Sequence, residues 1–137
     1  ALNTQPPVLI DANFSTLWAE QRHWTAHALY ALFHSSWCKA AMEAAGTPLG
    51  GGALKLEATH IRQVPIPALS HRDCERLAAL GQQLAAGVPS ARRQIDMFIL
   101  AASLPGMNEN DLKKVARHID SRLEAVCAAR RRTAHDS

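Results

Sequence analysis

Apolar residues recur at helical spacing across most of this 137-residue chain. The first such run predicts one long helix from about Trp24 to Ala45. Gly46 stands where a helix cap is expected, and Pro48 prevents the helix from continuing. The apolar positions of this helix are Leu29, Leu32, Phe33, Trp37, Ala40, Ala41 and Ala44. The first half of the chain is therefore predicted to centre on a single long amphipathic helix.

Short strands are predicted before and after this helix. Residues 8–10 and 14–18 have the composition of two strands joined by good turn residues. Residues 53–56 form a third candidate strand, and residues 58–63 have room for only one or two helical turns. Residues 64–67 are expected to be extended, because a residue that precedes proline avoids helical geometry. Strand-forming segments thus flank the long helix on both sides.

After Pro67 the pattern is helical to the end of the chain. Ser70 with Asp73 three positions later predicts a capping box that opens the first of these helices. Two further helices are predicted to begin near Ser90 and Asn108, each after a break that contains glycine and proline. The positions expected to face inward are Cys74, Leu77, Leu80, Leu84, Ile95, Phe98, Ile99, Ala102, Leu112, Val115, Ile119, Leu123 and Val126.

The predicted fold class is α+β and mostly α. Short N-terminal and central strands accompany a long helix, and a C-terminal antiparallel helical bundle follows, because amphipathic helices joined by short breaks favour that packing. The chain is expected to be a single domain or fragment, with an α/β part in residues 1–69 and a helical tail in residues 70–137. It begins with alanine rather than methionine, so we expect it to be cut from a longer protein.

The charge is modestly basic and comes mainly from arginine. Eleven arginines and four lysines against twelve acidic residues give a formal net charge of +3. Arginine suits bidentate contacts to phosphate and base edges, so nucleic acid is a permitted partner. The same excess describes a solvated surface equally well. No apolar run approaches the roughly 20 residues of a membrane span, and no signal-peptide pattern occurs, so the expected location is the cytoplasm, without a membrane partner.

No catalytic site is evident in the sequence. The three cysteines, Cys38, Cys74 and Cys127, are odd in number and too widely spaced for a disulfide framework or a CxxC zinc half-site. No serine lies in a nucleophile elbow. The aspartates are scattered among turns, caps and helix faces: Asp11, Asp73, Asp96 and Asp120. The chain is therefore expected to be a binding or structural part rather than the seat of a reaction.

Three histidines leave a metal-site alternative open. His23 and His27 are four positions apart, and His34 lies seven further on. The glutamate that usually follows the first histidine of such a pair is replaced by Trp24, and no nearby carboxylate completes a ligand set. Hydrogen-bonded or solvent-facing histidines are the favoured interpretation, with a small metal-dependent enzyme as the alternative.

The sharpest local feature is a glycine-rich hinge followed by a polar turn. The glycines lie after a helix and before a strand, so they form neither a phosphate loop nor a dinucleotide-binding loop. The hinge positions are Gly50, Gly51, Gly52, Pro65 and Pro67. The candidate DNA contacts are Lys55, Thr59, His60, Arg62 and Gln63. Lys55 and Arg62 would reach phosphates or guanine edges if the turn faced DNA. The same residues fit an ordinary exposed turn.

The order of these features resembles a known signature. The stretch "GGGALKLEATHIRQVPIP" resembles the glycine–strand–PIP signature near the C terminus of N6-adenine DNA methyltransferases, and it is similar to the target recognition domains of type I restriction specificity subunits. The preceding "LIDANFSTLW" and "ALYALFHSSWCKAAMEAAG" resemble the flanking segments of the methyltransferase group. Phe33-His34-Ser35 stands where the family has Leu-Asn-Ser. The resemblance covers residues 8–130, and its sharply patterned part is Gly50 to Pro67.

The resemblance implies a DNA-binding target-recognition module of a restriction-modification system. Methyl transfer to adenine N6 follows flipping of the base, and it would use S-adenosylmethionine in an upstream catalytic domain. The family's [DNS]PP[YFW] motif and its S-adenosylmethionine loop are absent from this chain, so no cofactor is expected here. Double-stranded DNA and the upstream catalytic domain are the implied partners. The alternative is a helical protein–protein adaptor module without DNA affinity, which predicts an exposed apolar stripe on one helix.

Overall fold

The computed structural model describes residues 17, 19–49 and 52–133. Over these residues the protein is mostly helical, with one short two-stranded antiparallel sheet, which confirms the α+β, mostly α prediction. The predicted strands at residues 8–10 and 14–18 lie outside the described residues, apart from Leu17. The elements are α1 (Ala26–His34), α2 (Ser36–Ala45), β1 (Thr47–Pro48), β2 (Leu54–Lys55), α3 (Ala58–Arg62), α4 (His71–Ala85), α5 (Ala91–Ser103) and α6 (Glu109–Thr133).

The prediction of one long helix from residue 24 to residue 45 is wrong at Ser35. This residue has an extended conformation, with φ −64° and ψ 150°, and it ends α1 and caps α2 at once. Its hydroxyl donates a 2.6 Å hydrogen bond to the Leu32 carbonyl and accepts one of 3.2 Å from the Cys38 amide. A serine side chain that satisfies the backbone locally competes with helix continuation. The apolar positions keep helical spacing on both sides of Ser35, so the sequence pattern gives no sign of the break.

The central strand is confirmed in a shorter form. β2 pairs with β1, with Thr47 opposite Lys55 and Pro48 opposite Leu54, and the Leu49 amide donates to the Ala53 carbonyl at 2.9 Å. The strand partner in β1 was not predicted from the sequence. A proline is tolerated there because β1 lies at the edge of a two-stranded sheet.

The predicted boundaries of the later helices agree closely with the structure. The Ser70 hydroxyl accepts a hydrogen bond from the Asp73 amide, and the Asp73 carboxylate accepts one from the Ser70 amide, both at 3.2 Å. This reciprocal pair is the capping box that opens α4. At the start of α6, Asn108 Oδ1 accepts from the Asp111 amide at 3.0 Å. After α4 the chain turns through Gly87, which has a positive φ of 78°.

One apolar core joins the two halves of the chain. It contains Ala28, Ala31, Leu32, Cys38, Val64, Leu77, Leu80, Ile95 and Ile99, so residues on both sides of position 69 contribute. α1 packs most extensively against α4, and α6 lies against α2 and α5. Helix α6 is only partly buried: Leu112 is 6% exposed, whereas Val126, which was predicted to face inward, is 44% exposed. A glycine, Gly81, lies at the crossing of α1 and α4.

Candidate nucleic-acid interface

The described glycine of the hinge packs against protein backbone. Gly52 has a φ of +75°, and a Cβ built on it would lie 3.4 Å from the Arg131 Cα and 3.6 Å from the Arg130 carbonyl oxygen. Glycine meets both requirements, the left-handed conformation and the close approach. Gly50 and Gly51 lie outside the described residues. The β1–β2 hairpin thus contacts the C-terminal end of α6 at Gly52. Gly52 and Arg130 are 78 positions apart in the sequence.

Lys55 extends from β2 and is half-exposed. Its Nζ lies 2.7 Å from Oε1 of Glu57, and both side chains are about half accessible to solvent. The hydrogen bond and the charge of Lys55 hold the pKa of Glu57 below its ordinary range. A phosphate that approached Lys55 would have to displace this exposed carboxylate, which is a weak competitor because surface ion pairs contribute little.

Helix α3 carries the remaining candidate contacts. Thr59, Arg62 and Gln63 are exposed. His60 is only partly exposed, and its Nδ1 accepts a 3.1 Å hydrogen bond from the Glu57 amide at the start of the helix. This acceptor role leaves the ring proton on Nε2 when the histidine is neutral. His60 therefore stabilises the turn through one ring nitrogen, while the other three side chains point to solvent.

The proline segment is anchored on α2. The Trp37 indole Nε1 donates a 2.9 Å hydrogen bond to the Pro65 carbonyl, and Val64 is buried in the core at 5% exposure. These contacts hold the exit of the turn at both a polar and an apolar point. Pro65 and Pro67 also restrict their own φ angles. The segment after α3 is therefore held in place against α2 and the core.

The C-terminal end of α6 brings further arginines to the hairpin. Arg130 donates a 2.8 Å hydrogen bond to Oε1 of Glu43 in α2, and the Arg131 Nε donates to the Cys127 carbonyl at 3.2 Å. Arg131 and Arg132 are exposed. A cavity of about 450 Å³ lies between α2, β2 and α6, and Leu54, Leu56 and Arg131 line it. Lys55, which alternates with the two leucines, is absent from this lining.

A polar cluster that sequence reasoning missed lies where α2 begins. The Ser36 amide donates to Oδ1 of Asp96 at 2.6 Å, and the Ser36 hydroxyl lies 2.6 Å from Oδ1 of Asp120 and 3.1 Å from Oδ2 of Asp96. A terminal nitrogen of Arg92 donates to the same hydroxyl oxygen at 3.1 Å. The sequence held one usable signal: Asp96 follows the inward-facing Ile95 directly, on the buried side of α5.

Burial controls the electrostatics of this cluster. Asp96 is 8% exposed, and desolvation raises its pKa, against the opposing effects of the Ser36 hydrogen bonds and the Arg92 charge. The pKa of Lys39 is lowered, first by burial and then by the positive charge of Arg92. A negative carboxylate near the first amides of a helix is favourable because the helix dipole is positive there. Asp96 therefore completes the N-terminal cap of α2 from α5.

A basic groove extends from this cluster along α5 and α6. It has a volume of about 660 Å³, and its charged lining consists of Arg92, Arg93, Lys113, Arg117, Asp96 and Asp120. Lys113 is paired with Glu109 at 2.6 Å, and the Arg117 Nε donates to the Lys113 carbonyl at 3.3 Å. The groove shares Arg92 and Asp120 with the cavity beneath β2, so the two are adjacent.

The histidines of the metal-site alternative have other neighbours. The His34 Nδ1 lies 2.8 Å from the Tyr30 carbonyl, and the His23 ring lies 5.8 Å from that of His71. Within residues 17, 19–49 and 52–133, no three His, Cys, Asp or Glu side chains form a group suited to a metal ion. Over the same ranges no helix combines the length and the apolarity needed to cross a bilayer.

No protein-family model, curated protein or solved structure matches the chain.

Proposed function

We propose that this chain is the DNA-binding target-recognition module of an adenine-specific DNA methyltransferase in a restriction-modification system. It acts in the cytoplasm beside an upstream catalytic domain that binds S-adenosylmethionine. The observation that carries the proposal is the close contact between Gly52 and the Arg131 backbone. This contact brings the recognition strand next to the arginine-rich end of α6. The arginine-rich end of α6 thereby lies beside the hairpin whose second strand carries Lys55.

The exposed cations of the turn and of the end of α6 suit a phosphate backbone. Arg62 and Arg132 are exposed and make no hydrogen bond or ion pair within the described part of the chain. Lys55 holds only the exposed Glu57. Cations that lack strong internal partners are available for phosphate contacts, which supply most of the non-specific affinity for DNA. Thr59 and Gln63 are the side chains with which the turn reads base edges, and His60 joins them through Nε2.

The helical tail supports the recognition hairpin in this proposal. In this proposal the C-terminal helices act as an antiparallel bundle that braces the hairpin, which is supported by the contacts of α6 with α2, with α5 and with Gly52. A rigid support keeps the side chains of the turn at a constant spacing. Contacts that are held in place before binding lose less conformational entropy when DNA arrives.

Binding of a short fluorescent DNA duplex, followed by anisotropy at low and high salt, tests the proposal. Lys55→Ala and Arg62→Ala should each weaken binding and make the dependence of log K on log salt shallower by about 0.9. Glu57→Gln should tighten binding, because it releases Lys55. Arg72→Ala is the matched control, since Arg72 is an exposed arginine on α4.

The outcomes separate this proposal from the adaptor alternative. Unchanged weak binding in both Lys55→Ala and Arg62→Ala would contradict the assigned contacts. A folded chain without any DNA affinity would favour the adaptor. The large exposed apolar side chains do not form a stripe on one helix of the described chain, because they are spread over different segments: Leu17, Leu49, Ile66, Val88, Met107 and Val126.

A further inference from the structure

The groove between α5 and α6 has an unequal charge balance. Four cationic and two anionic side chains line it, which leaves a formal excess of two positive charges. The two carboxylates are already engaged: Asp96 accepts from the Ser36 amide, and Asp120 lies 2.6 Å from the Ser36 hydroxyl. Asp96 is paired with Arg92 at 3.4 Å and Asp120 is exposed to solvent, so the groove keeps a net positive charge.

Two of the cations are free to act on a ligand. Arg93 is exposed and has no hydrogen bond or ion pair within the described part of the chain. Arg117 is held at its Nε by the Lys113 carbonyl, and its terminal nitrogens have no partner among the described residues. An arginine that is anchored at Nε presents two parallel donors in a fixed direction, which is the geometry of a bidentate contact to phosphate.

The other two cations are fixed in place by internal partners. Arg92 lies 3.4 Å from Oδ2 of Asp96 through its Nε and donates to the Ser36 hydroxyl, while Lys113 is paired with the exposed Glu109. The Arg92 side chain is therefore held in one orientation at the side of the groove. Preorganised charge of this kind stabilises a bound anion without reorganisation on binding.

The remaining lining is apolar, and the groove is large enough for a ligand. Pro89, Met97 and Ala116 contribute its apolar surface. Its volume of about 660 Å³ lies within the range of roughly 300–1,000 Å³ that small-molecule sites occupy. The groove thus offers cationic donors beside a surface on which a sugar can rest.

We propose that the groove between α5 and α6 is a phosphate-binding site, with Arg93 and Arg117 as its ligand contacts. It takes a phosphate or pyrophosphate group, which either a DNA backbone or a free nucleotide would supply. None of its lining residues belongs to the recognition turn. If DNA supplies the phosphate, the groove extends the proposed function; if a free nucleotide supplies it, the groove stands without that function.

Titration calorimetry with sodium pyrophosphate, alongside anisotropy with the short DNA duplex, tests the site in the full 137-residue chain. Arg93→Gln and Arg117→Gln remove one charged donor each. Each should weaken the binding of pyrophosphate, of the DNA duplex or of both about tenfold. Arg122→Gln is the matched control, because Arg122 is an exposed arginine on the same helix that lines neither groove. Equal thermal melting of the three variants would exclude a folding effect.

Each outcome decides the assignment. A loss of pyrophosphate affinity in Arg93→Gln and Arg117→Gln, but not in Arg122→Gln, supports a site for a free phosphate ligand. The same loss with DNA alone supports a backbone contact. The proposal is overturned if the unaltered chain binds neither probe, or if all three variants weaken equally. Lys55→Ala retains pyrophosphate binding in every supporting case, so failure of the recognition turn is distinguishable from failure of the groove.

Discussion

The backbone amide of Ser36 donates a 2.6 Å hydrogen bond to Oδ1 of Asp96, 60 positions further along the chain. Both residues are buried, at 3% and 8% exposure. Ser36 opens α2 and Asp96 lies in the middle of α5, so one carboxylate links a helix N terminus to the C-terminal half. A buried helix end needs such a partner because its first amides have no acceptor within the helix.

We expect Asp96→Ala to destabilise the protein by about 2 kcal/mol, since it leaves a buried amide without an acceptor. The change also removes the ion-pair partner of Arg92, but the Arg92 side chain is partly exposed, so this second effect is small. Urea unfolding followed by far-UV circular dichroism measures the difference. Glu124→Ala, at an exposed position on α6, should stay within about 0.5 kcal/mol of the unaltered protein. Equal stability of the two variants would contradict the capping role.

The pKa values of two aspartates should lie on opposite sides of the ordinary aspartate value. Burial raises the pKa of Asp96, while the hydrogen bonds from the Ser70 side chain and backbone lower the pKa of Asp73. Folding therefore becomes less favourable as pH rises from the unfolded value of about 3.9 through the folded pKa of Asp96. Asp73 acts in reverse, because its stabilising effect is present above about 3.9 and is lost as pH falls through its folded pKa.

Carboxyl NMR titration of the folded protein checks both directions. The Asp96 midpoint should lie above that of a model peptide and the Asp73 midpoint below it. In Asp96→Asn the part of the pH dependence that Asp96 causes should vanish, whereas the Asp73 midpoint should not move. A midpoint for Asp96 below the peptide value would show that its hydrogen bonds outweigh its desolvation.

Features with a local cause could be predicted from the sequence. The Ser70–Asp73 capping box involves residues three positions apart, and the structure confirms it. Proline sterics predict that no helix continues into residues 64–67, and in the structure this segment begins with a bend at Val64 and contains no helix. The strand at Leu54–Lys55 was also predicted, because glycines and apolar alternation mark it within a few positions.

Features that depend on distant residues could not be predicted. The break at Ser35 keeps the helical period, and the amide of Ser36 that it exposes is satisfied by Asp96. Gly52 meets Arg131, and no periodicity links a hinge to the end of α6. The basic groove likewise joins Arg93 with Arg117 from two helices. The helical period predicts core positions such as Leu77 and Ile95, but it does not show which distant residues the packing of the helices brings together.

Gly81→Ala should destabilise the protein although alanine is the better helix former. A Cβ at this position would overlap the His27 carbonyl oxygen at the crossing of α1 and α4. The intrinsic preference for alanine contributes only about 1 kcal/mol. Overpacking against a backbone atom that cannot rotate away costs about 3 kcal/mol, so packing prevails. Thermal unfolding should show a lower midpoint for Gly81→Ala and almost no change for Gln82→Ala on the exposed face of α4.

Gly52→Ala should loosen the hairpin without unfolding the core. The φ of +75° costs an alanine about 1–2 kcal/mol, and the added methyl group meets the Arg131 backbone. The Leu49 amide, which donates to the Ala53 carbonyl, reports directly on the hairpin. Its hydrogen exchange should be faster in the variant, while exchange of the Leu80 amide in α4 should be unchanged. Equal exchange of the Leu49 amide in both proteins would show that the contact between Gly52 and α6 does not stabilise the hairpin.

Cys38 should resist alkylation in the folded protein. Its side chain is fully buried, and burial raises its pKa to about 11. Only about one Cys38 thiol in a thousand is therefore a thiolate at pH 8, and the thiolate is the nucleophile. Cys127, which is partly exposed beside Glu43, should react first with iodoacetamide, as mass spectrometry of the modified peptides would show. In denaturant the two cysteines should react at similar rates. Equal rates in the native protein would contradict the burial of Cys38 behind the cap at Ser35.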